Sequence, residues 1–346
     1  MVSDWPVVNC INGRGVMNWH TTYSDEFKAK VVAMVLSGQR TVWSLGLDPD
    51  YPSKDTINKW VRKTKEPPPP SMDDTHSHGY TAKSVIQKHL DRSSEISGKR
   101  IAVIPDMQVK PGIDLSYASR IGRYLADKKP DIIINGGDFA DMASLNSYDL
   151  PGSRGMEGQR YKEDILSVQT AMRMLMEPIN RERDKSGWNP LKILTLGNHE
   201  DRIDRAVRAT PKLDGVIGLP DLHYEEHGWE VIPFLEPVVV EGVAFAHFFC
   251  SGVMGRPITT ARALLNKKHM SCFAFHQQGR DIAFGARGDG RQMIGIIAGS
   301  CYEHDEGYLN AQTNNHWRGL YILNDVVDGE FEENAVSLKY LRRKYE

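Results

Sequence analysis

Five short apolar runs in this sequence end on, or run into, side chains that can hold a metal ion. RIAVIP leads to Asp106 and Gln108; DIIIN leads to Gly136, Gly137 and Asp138; KILTL leads to Gly197, Asn198, His199 and Glu200. VAFAHFF contains His247, and CFAFHQQ contains His276 and Gln278. Carboxylate and amide oxygens together with imidazoles suit divalent cations, and glycine beside a ligand lets the backbone approach closely. Taken singly, each segment has a plainer reading. Asp106 caps a helix, Gly136-Gly137-Asp138 is a tight turn, and His199 is a buried imidazole with its hydrogen bonds satisfied. Five in succession point to one metal site.

The elements that must position these groups form a repeating pattern. Apolar strands at 100–105, 131–135 and 192–196 alternate with helical stretches at Tyr117–Ala126 and 164–178, and RQMIGIIAGS adds a further strand. Strands that end in polar loops and alternate with helices predict an α/β core with its chemistry at the carboxyl ends of the strands.

The order Asp106-Met107-Gln108, Gly137-Asp138-x-x-Asp141, Gly197-Asn198-His199-Glu200, His247 and His276-Gln277-Gln278 resembles the calcineurin-like metallophosphoesterases over residues 100–325. That resemblance implies a two-sheet α/β sandwich flanked by helices and a pair of divalent ions, Mn2+ foremost, with Mg2+, Fe2+ or Zn2+ as alternatives. Asp138 would bridge both ions. Asp106 would ligate the first with position 108 beside it, and Asn198, His247 and His276 would ligate the second. His199 would sit over the phosphoryl group and assist the leaving oxygen, with Asp141 or Glu200 orienting its ring or merely holding its own loop. The reaction implied is attack of a metal-activated hydroxide on phosphorus, without a covalent phosphoenzyme.

Two positions depart from the family pattern. Gln108 and Gln278 stand where the family ordinarily has histidine, and both belong to the first metal. An amide oxygen is a weaker donor than imidazole toward late transition metals, so an asymmetric pair is expected, with a harder and less fully occupied first site.

Upstream, the run Pro67–Pro70 cannot continue a helix or a central strand, and the polar SMDDTHSHG follows it. This predicts a linker over 67–98, a small all-α domain over 1–66 and the phosphoesterase domain over 99–346. DEFKAKVVAMVLSG puts Phe27, Val31, Met34 and Val35 on one helical face, with Gly38 as a stop. Thr41 to Leu45 reads as a short helix. SKDTINKWVRKTK starts at Ser53 and turns Ile57, Trp60 and Val61 inward, with Lys54, Lys59, Arg62, Lys63 and Lys65 as a basic outer set. FKAKVV…G…TINKWVRK resembles the small helix-turn-helix domains of transposase-type proteins, which implies DNA as a partner. The alternative is an assembly module with solvated charges.

The 346 residues carry 43 basic and 45 acidic side chains, a net charge of -2 that excludes a histone-like basic coat but not a local nucleic-acid surface. Cys10, Cys250, Cys272 and Cys301 show no C-x-x-C spacing and read as reduced thiols. No secretory signal and no apolar stretch long enough to span a membrane is visible, so a cytoplasmic enzyme is expected, in the host cytoplasm if phage-encoded. Arg205 and Arg208, the basic stretch with Arg256, Arg262, Lys267, Lys268 and His269, and the polar segment with His304, Asn315, His316, Trp317 and Arg318 are further candidates for substrate contact. AFGARGDGRQ reads as a hairpin turn without a P-loop pattern. The expected activity is a DNA nuclease or phosphodiesterase; the alternatives are a phosphomonoesterase and a DNA-binding or structural protein with a weakened metal site.

Overall fold

The computed structural model describes residues 23–37, 39–42, 45, 48, 51–65, 98–147, 153–305 and 316–346. Contacts divide the chain into two units, Met1–Gly79 and Tyr80–Glu346. The segment 67–97, within the expected linker and lead-in, lies outside the described residues, as do Gly38 and Cys10.

The first unit contains α1 (Asp25–Leu36) and α2 (Lys54–Lys65). Ser24 caps α1 by accepting the Phe27 N–H at 3.2 Å, which satisfies one of the donors left open at a helix start. Val31, Val32, Leu45, Ile57 and Val61 make the core, with Phe27, Val35 and Trp60 packed around it. Met34 is only half-buried, while Val32, outside the expected face, is buried. Leu45 joins the cluster from between the helices, so α1 buries a wider face than a single stripe. Leu45 donates its N–H to the Thr41 carbonyl at 3.0 Å, as one helical turn requires.

The second unit runs β1 (Lys99–Ile104), α3 (Ser116–Lys128), β2 (Ile132–Asn135), α4 (Tyr161–Ser186), β3 (Leu191–Thr195), α5 (Asp201–Ala209) and β4 (Glu230–Ile232). It continues with β5 (Val238–Val240), β6 (Val243–Ala246), β7 (Cys250–Ser251), β8 (Arg256–Pro257), α6 (Ala261–Lys268) and β9 (Cys272–Ala274). It closes with β10 (Arg280–Ala286), β11 (Gln292–Ala298), β12 (Gly319–Val327), β13 (Glu330–Ser337) and α7 (Leu338–Tyr345). One sheet has the order β13-β12-β1-β2-β3-β4, with β1 to β4 mutually parallel. The other has the order β10-β11-β9-β6-β5, with β11, β9 and β6 parallel.

Alternation along the strands builds the layers. Ile101, Val103, Ile132 and Ile134 meet Val243, Phe245, Phe273 and Ile296 between the two sheets. Ala102, Ile104, Ile133 and Leu194 point the other way, onto the helices that carry Ile121, Leu175 and Leu341. On the far side of the second sheet, Ala244, Ala246 and Ala274 pack against Leu264 and Leu265 of α6. Strands covered on both faces are apolar at nearly every position, which is why they read as almost unbroken runs. The protein is thus an α/β fold with two mixed sheets flanked by helices, preceded by a small all-α segment.

Helix α4 extends to both sides of the expected 164–178 and passes straight through Pro178. Its buried stripe continues from Leu175 and Met176 to Ile179, and packing against α3 outweighs the single donor that proline removes. Among the described residues, no helix is long and apolar enough to cross a membrane, and Cys250, Cys272 and Cys301 are free thiols. AFGARGDGRQ forms the turn between the antiparallel β10 and β11.

Candidate metal centre

The carboxyl ends of β1, β2 and β3 from one sheet, and of β6 and β9 from the other, meet at one edge of the sandwich. The backbone there is tightly tied. The Met107 and Gln108 N–H groups both donate to the Asp138 carbonyl, at 3.0 and 2.8 Å, and Cys301 N–H donates to the Asp106 carbonyl at 2.7 Å. Four non-glycine residues adopt left-handed backbone: Gln108 (φ 43°), Asp138 (φ 46°), His276 (φ 68°) and Gln278 (φ 56°). Such conformations cost about 1–3 kcal/mol each and gather where side-chain direction matters more than stability. Gly197 is required for a different reason. A Cβ there would lie 2.1 Å from Asp138 Oδ1 and 2.4 Å from its backbone nitrogen, so only glycine lets the two loops touch.

The donor atoms converge in a way that calls for a cation. His247, wholly buried, gives its Nδ1–H to the Gly136 carbonyl at 2.8 Å. That bond leaves Nε2 of the neutral ring with a lone pair, aimed at Asn198 Oδ1 at 2.9 Å and Asp138 Oδ2 at 3.3 Å. An amide oxygen, a carboxylate oxygen and an imidazole lone pair supply no donor among themselves. With the Asn198 amide oxygen turned inward, a positive charge would hold these atoms together, carried by a proton on His247 or by a metal ion. His276 completes the group: one ligand atom each from Asp138, His247 and His276 lies within 4.8 Å of the others.

The charges respond accordingly. Burial alone would raise the Asp138 pKa, but His199 and His247 pull it well below the usual carboxylate range. His247 is depressed by burial and lifted by Asp138, and the carboxylate prevails, taking it up to about 9. His276 is pushed down to about 4 by burial and by its neighbour His247, which keeps its ring neutral. Asp106 is also fully buried; its Oδ1 accepts the His276 N–H at 3.3 Å, while Oδ2 has no hydrogen-bond partner. Burial drives its carboxyl upward in pKa. An orphaned buried carboxylate oxygen beside such a cluster is open to a cation or a proton.

His199 lies beside the cluster. Its Nδ1 is 2.8 Å from Asp141 Oδ1 and its Nε2 is 3.8 Å from Asp138 Oδ2. Burial works against its charged form, and the nearby Asp138 and Asp141 more than compensate, so its pKa is raised. Asp141 is therefore the carboxylate in contact with the ring. Glu200 serves the backbone instead. Its oxygens accept the N–H groups of Asp138, Ala140 and Gly197, each at 2.9 Å, and the Tyr224 hydroxyl at 3.1 Å. It is a buried strut joining the loops after β2 and β3. Arg202 does not stand out in the sequence. Its Nη2 stands 3.2 Å from His199 Nε2, while Nη1 donates to the Asp141 and Met142 carbonyls at 2.8 and 3.3 Å. The one signal that points to it is its three-residue spacing from His199 at the start of a helix.

No protein-family model and no curated protein matches this chain. The metal centre therefore rests on its own geometry. Gln108 and Gln278 are both buried at the same edge, and Gln278 Oε1 accepts a 2.8 Å hydrogen bond from Tyr302.

Arg205 reaches the site loop, donating to the Asn198 carbonyl at 3.3 Å, and like Arg208 pairs with Asp201 at 3.2 Å on its own helix. The remaining candidates lie elsewhere. Lys267 donates to Ser251 Oγ at 2.7 Å, and Arg262 to the Phe284 carbonyl at 2.7 Å. Trp317 packs against Tyr321 at the inter-sheet core, and Arg318 donates to the Glu303 carbonyl at 3.0 Å; Asn315 lies outside the described residues. Lys54 and Lys59 are exposed on α2, whereas the side chains of Arg62, Lys63 and Lys65 lie outside the described residues.

Proposed function

We propose that this protein is a metal-dependent phosphoester hydrolase acting on DNA, of the calcineurin-like metallophosphoesterase type. The observation that carries the reading is the convergence of Asp138, Asn198, His247 and His276 acceptor atoms around a place that needs positive charge. The donor set fits a divalent ion held by Asp138, Asn198, His247 and His276, with Asp106 and the amides of Gln108 and Gln278 offered to a second, Mn2+ being the expected metal. Bound there, such ions supply Lewis acidity to phosphate oxygens and make a neighbouring water more acidic.

The chain's own groups have distinct roles. Asp138 brings negative charge to both ligand sets at once. The Gly136 carbonyl fixes the His247 tautomer so that Nε2 faces the site, the outer hydrogen bond that metal-binding histidines use to set ring direction. Asp141 Oδ1 lies against His199 Nδ1, and Nε2, which here accepts from Arg202 Nη2, would give a proton or hydrogen bond to the departing oxygen once substrate displaces that contact and the ring is protonated. Arg202 braces the Asp141 loop from below. Support for a nucleic-acid substrate comes from the first unit, whose α2 presents exposed Lys54 and Lys59 on a helix with a predicted basic set.

The test is Mn2+-dependent cleavage of end-labelled single- and double-stranded DNA beside a panel of small phosphomonoesters and diesters, with Asp138→Asn as control. Cleavage of DNA that disappears in the variant supports the nuclease. Asp138-dependent turnover of a small monoester alone replaces it with a phosphomonoesterase. No Asp138-dependent turnover of any ester sinks the hydrolase reading.

A further inference from the structure

At the opposite end of the first sheet, where β1 to β3 begin, the second unit has a half-open cleft of about 850 Å³. Lys99, Asp131, Arg183, Trp188, Lys192 and Glu226 are among the residues lining it. Lys99 opens β1 and Asp106 follows its far end, so cavity and metal centre are separated by roughly 20 Å of strand.

The charges in this cavity are unevenly satisfied. Asp131 Oδ2 accepts the Arg100 N–H at 2.8 Å, and Glu226 pairs with His223 Nδ1 at 3.2 Å. Arg183 reaches the exposed Asp184 at 3.0 Å. Lys192, only 8% exposed, has no hydrogen bond or ion pair to any described residue, and neither has Lys99. The Lys192 ammonium lies against the cavity wall at Gly228, 3.5 Å from where a Cβ would stand. Burial, and then the nearby Arg183, lower its pKa, while Glu230 attracts it. The buried stem fixes the direction of this ammonium, and its tip, with no hydrogen bond or ion pair to a described residue, opens onto the cleft as a contact for an anion. Trp188 offers a ring held by its own Nε1–H bond to the Pro130 carbonyl at 2.8 Å. The volume matches that of pockets for small molecules.

We propose that this cavity binds a phosphorylated small molecule of mononucleotide size, with the phosphate between Lys99 and Lys192 and the planar base against Trp188. The site stands independently of the hydrolase reading. Titration calorimetry on the full chain with adenosine monophosphate, inorganic phosphate and adenosine tests it. The nucleotide should bind most tightly, and Lys192→Met should weaken it by about 10–100-fold, the loss of one charge-assisted contact. Lys192→Arg should retain binding, and Asp138→Asn should leave it unchanged. If Lys192→Met fails to fold, Lys99→Ala at the strand start should still weaken binding. No nucleotide binding overturns the proposal, as does binding that survives the Lys192 and Lys99 substitutions or is lost with Asp138→Asn. Inorganic phosphate binding as tightly as the nucleotide overturns the assignment of the base to Trp188.

Discussion

Asp138 and His199 lie side by side but do different work, and their variants should separate. Asp138 accepts the His199 N–H, faces His247 Nε2 and carries the most strongly lowered carboxyl pKa in the cluster. Asp138→Asn should remove metal binding and activity together. His199→Ala should keep the metal and lose about 10²–10⁴-fold in kcat, the range for one general acid. Metal content by plasma mass spectrometry alongside kcat checks this; equal, small losses in both variants would defeat the assignment. The glutamines give a second residue-level expectation. Gln108→His with Gln278→His should raise bound metal per chain after dialysis and shift preference from Mn2+ toward Zn2+. Unchanged stoichiometry and preference would show that the two amides do not set the first site.

At the scale of elements, the site is a set of loops cinched together, and Glu200 is the cinch. Glu200→Ala would leave three buried N–H groups and a buried hydroxyl without their acceptor, at a cost of at least about 3 kcal/mol in urea unfolding. Glu200→Gln, which keeps one oxygen, should cost less. Gly197→Ala should abolish metal binding even where the protein folds, because its methyl would displace Asp138. The strands that deliver Asp106, Asp138, Asn198, His247 and His276 were legible because each is buried on both faces near its carboxyl end and so mostly apolar there. The contacts of Arg202, Tyr224 and Tyr302 were not, because they join side chains across loops that only the finished fold brings together. The helix expected over 164–178 runs on to Ser186 because packing on both sides of Pro178 outweighs the donor that proline removes. The β12–β13 hairpin and α7 went unread, although Asp328-Gly329 between alternating segments is a recognised hairpin signal.

At the scale of the molecule, each unit has its own hydrophobic core. Removing residues 1–79 should leave hydrolysis of a small phosphoester intact and reduce DNA affinity, measured by filter binding at fixed salt. Affinity that survives the deletion unchanged would remove the first unit from substrate capture. The hydrogen bond from His276 to Asp106 spans 170 positions of chain. The metal cluster therefore cannot exist until the ribosome has delivered residue 276. At roughly 5–20 residues per second, that is about 10–40 s after residue 79 has been made. During synthesis the first unit is therefore made well before the ligand cluster of the second can assemble.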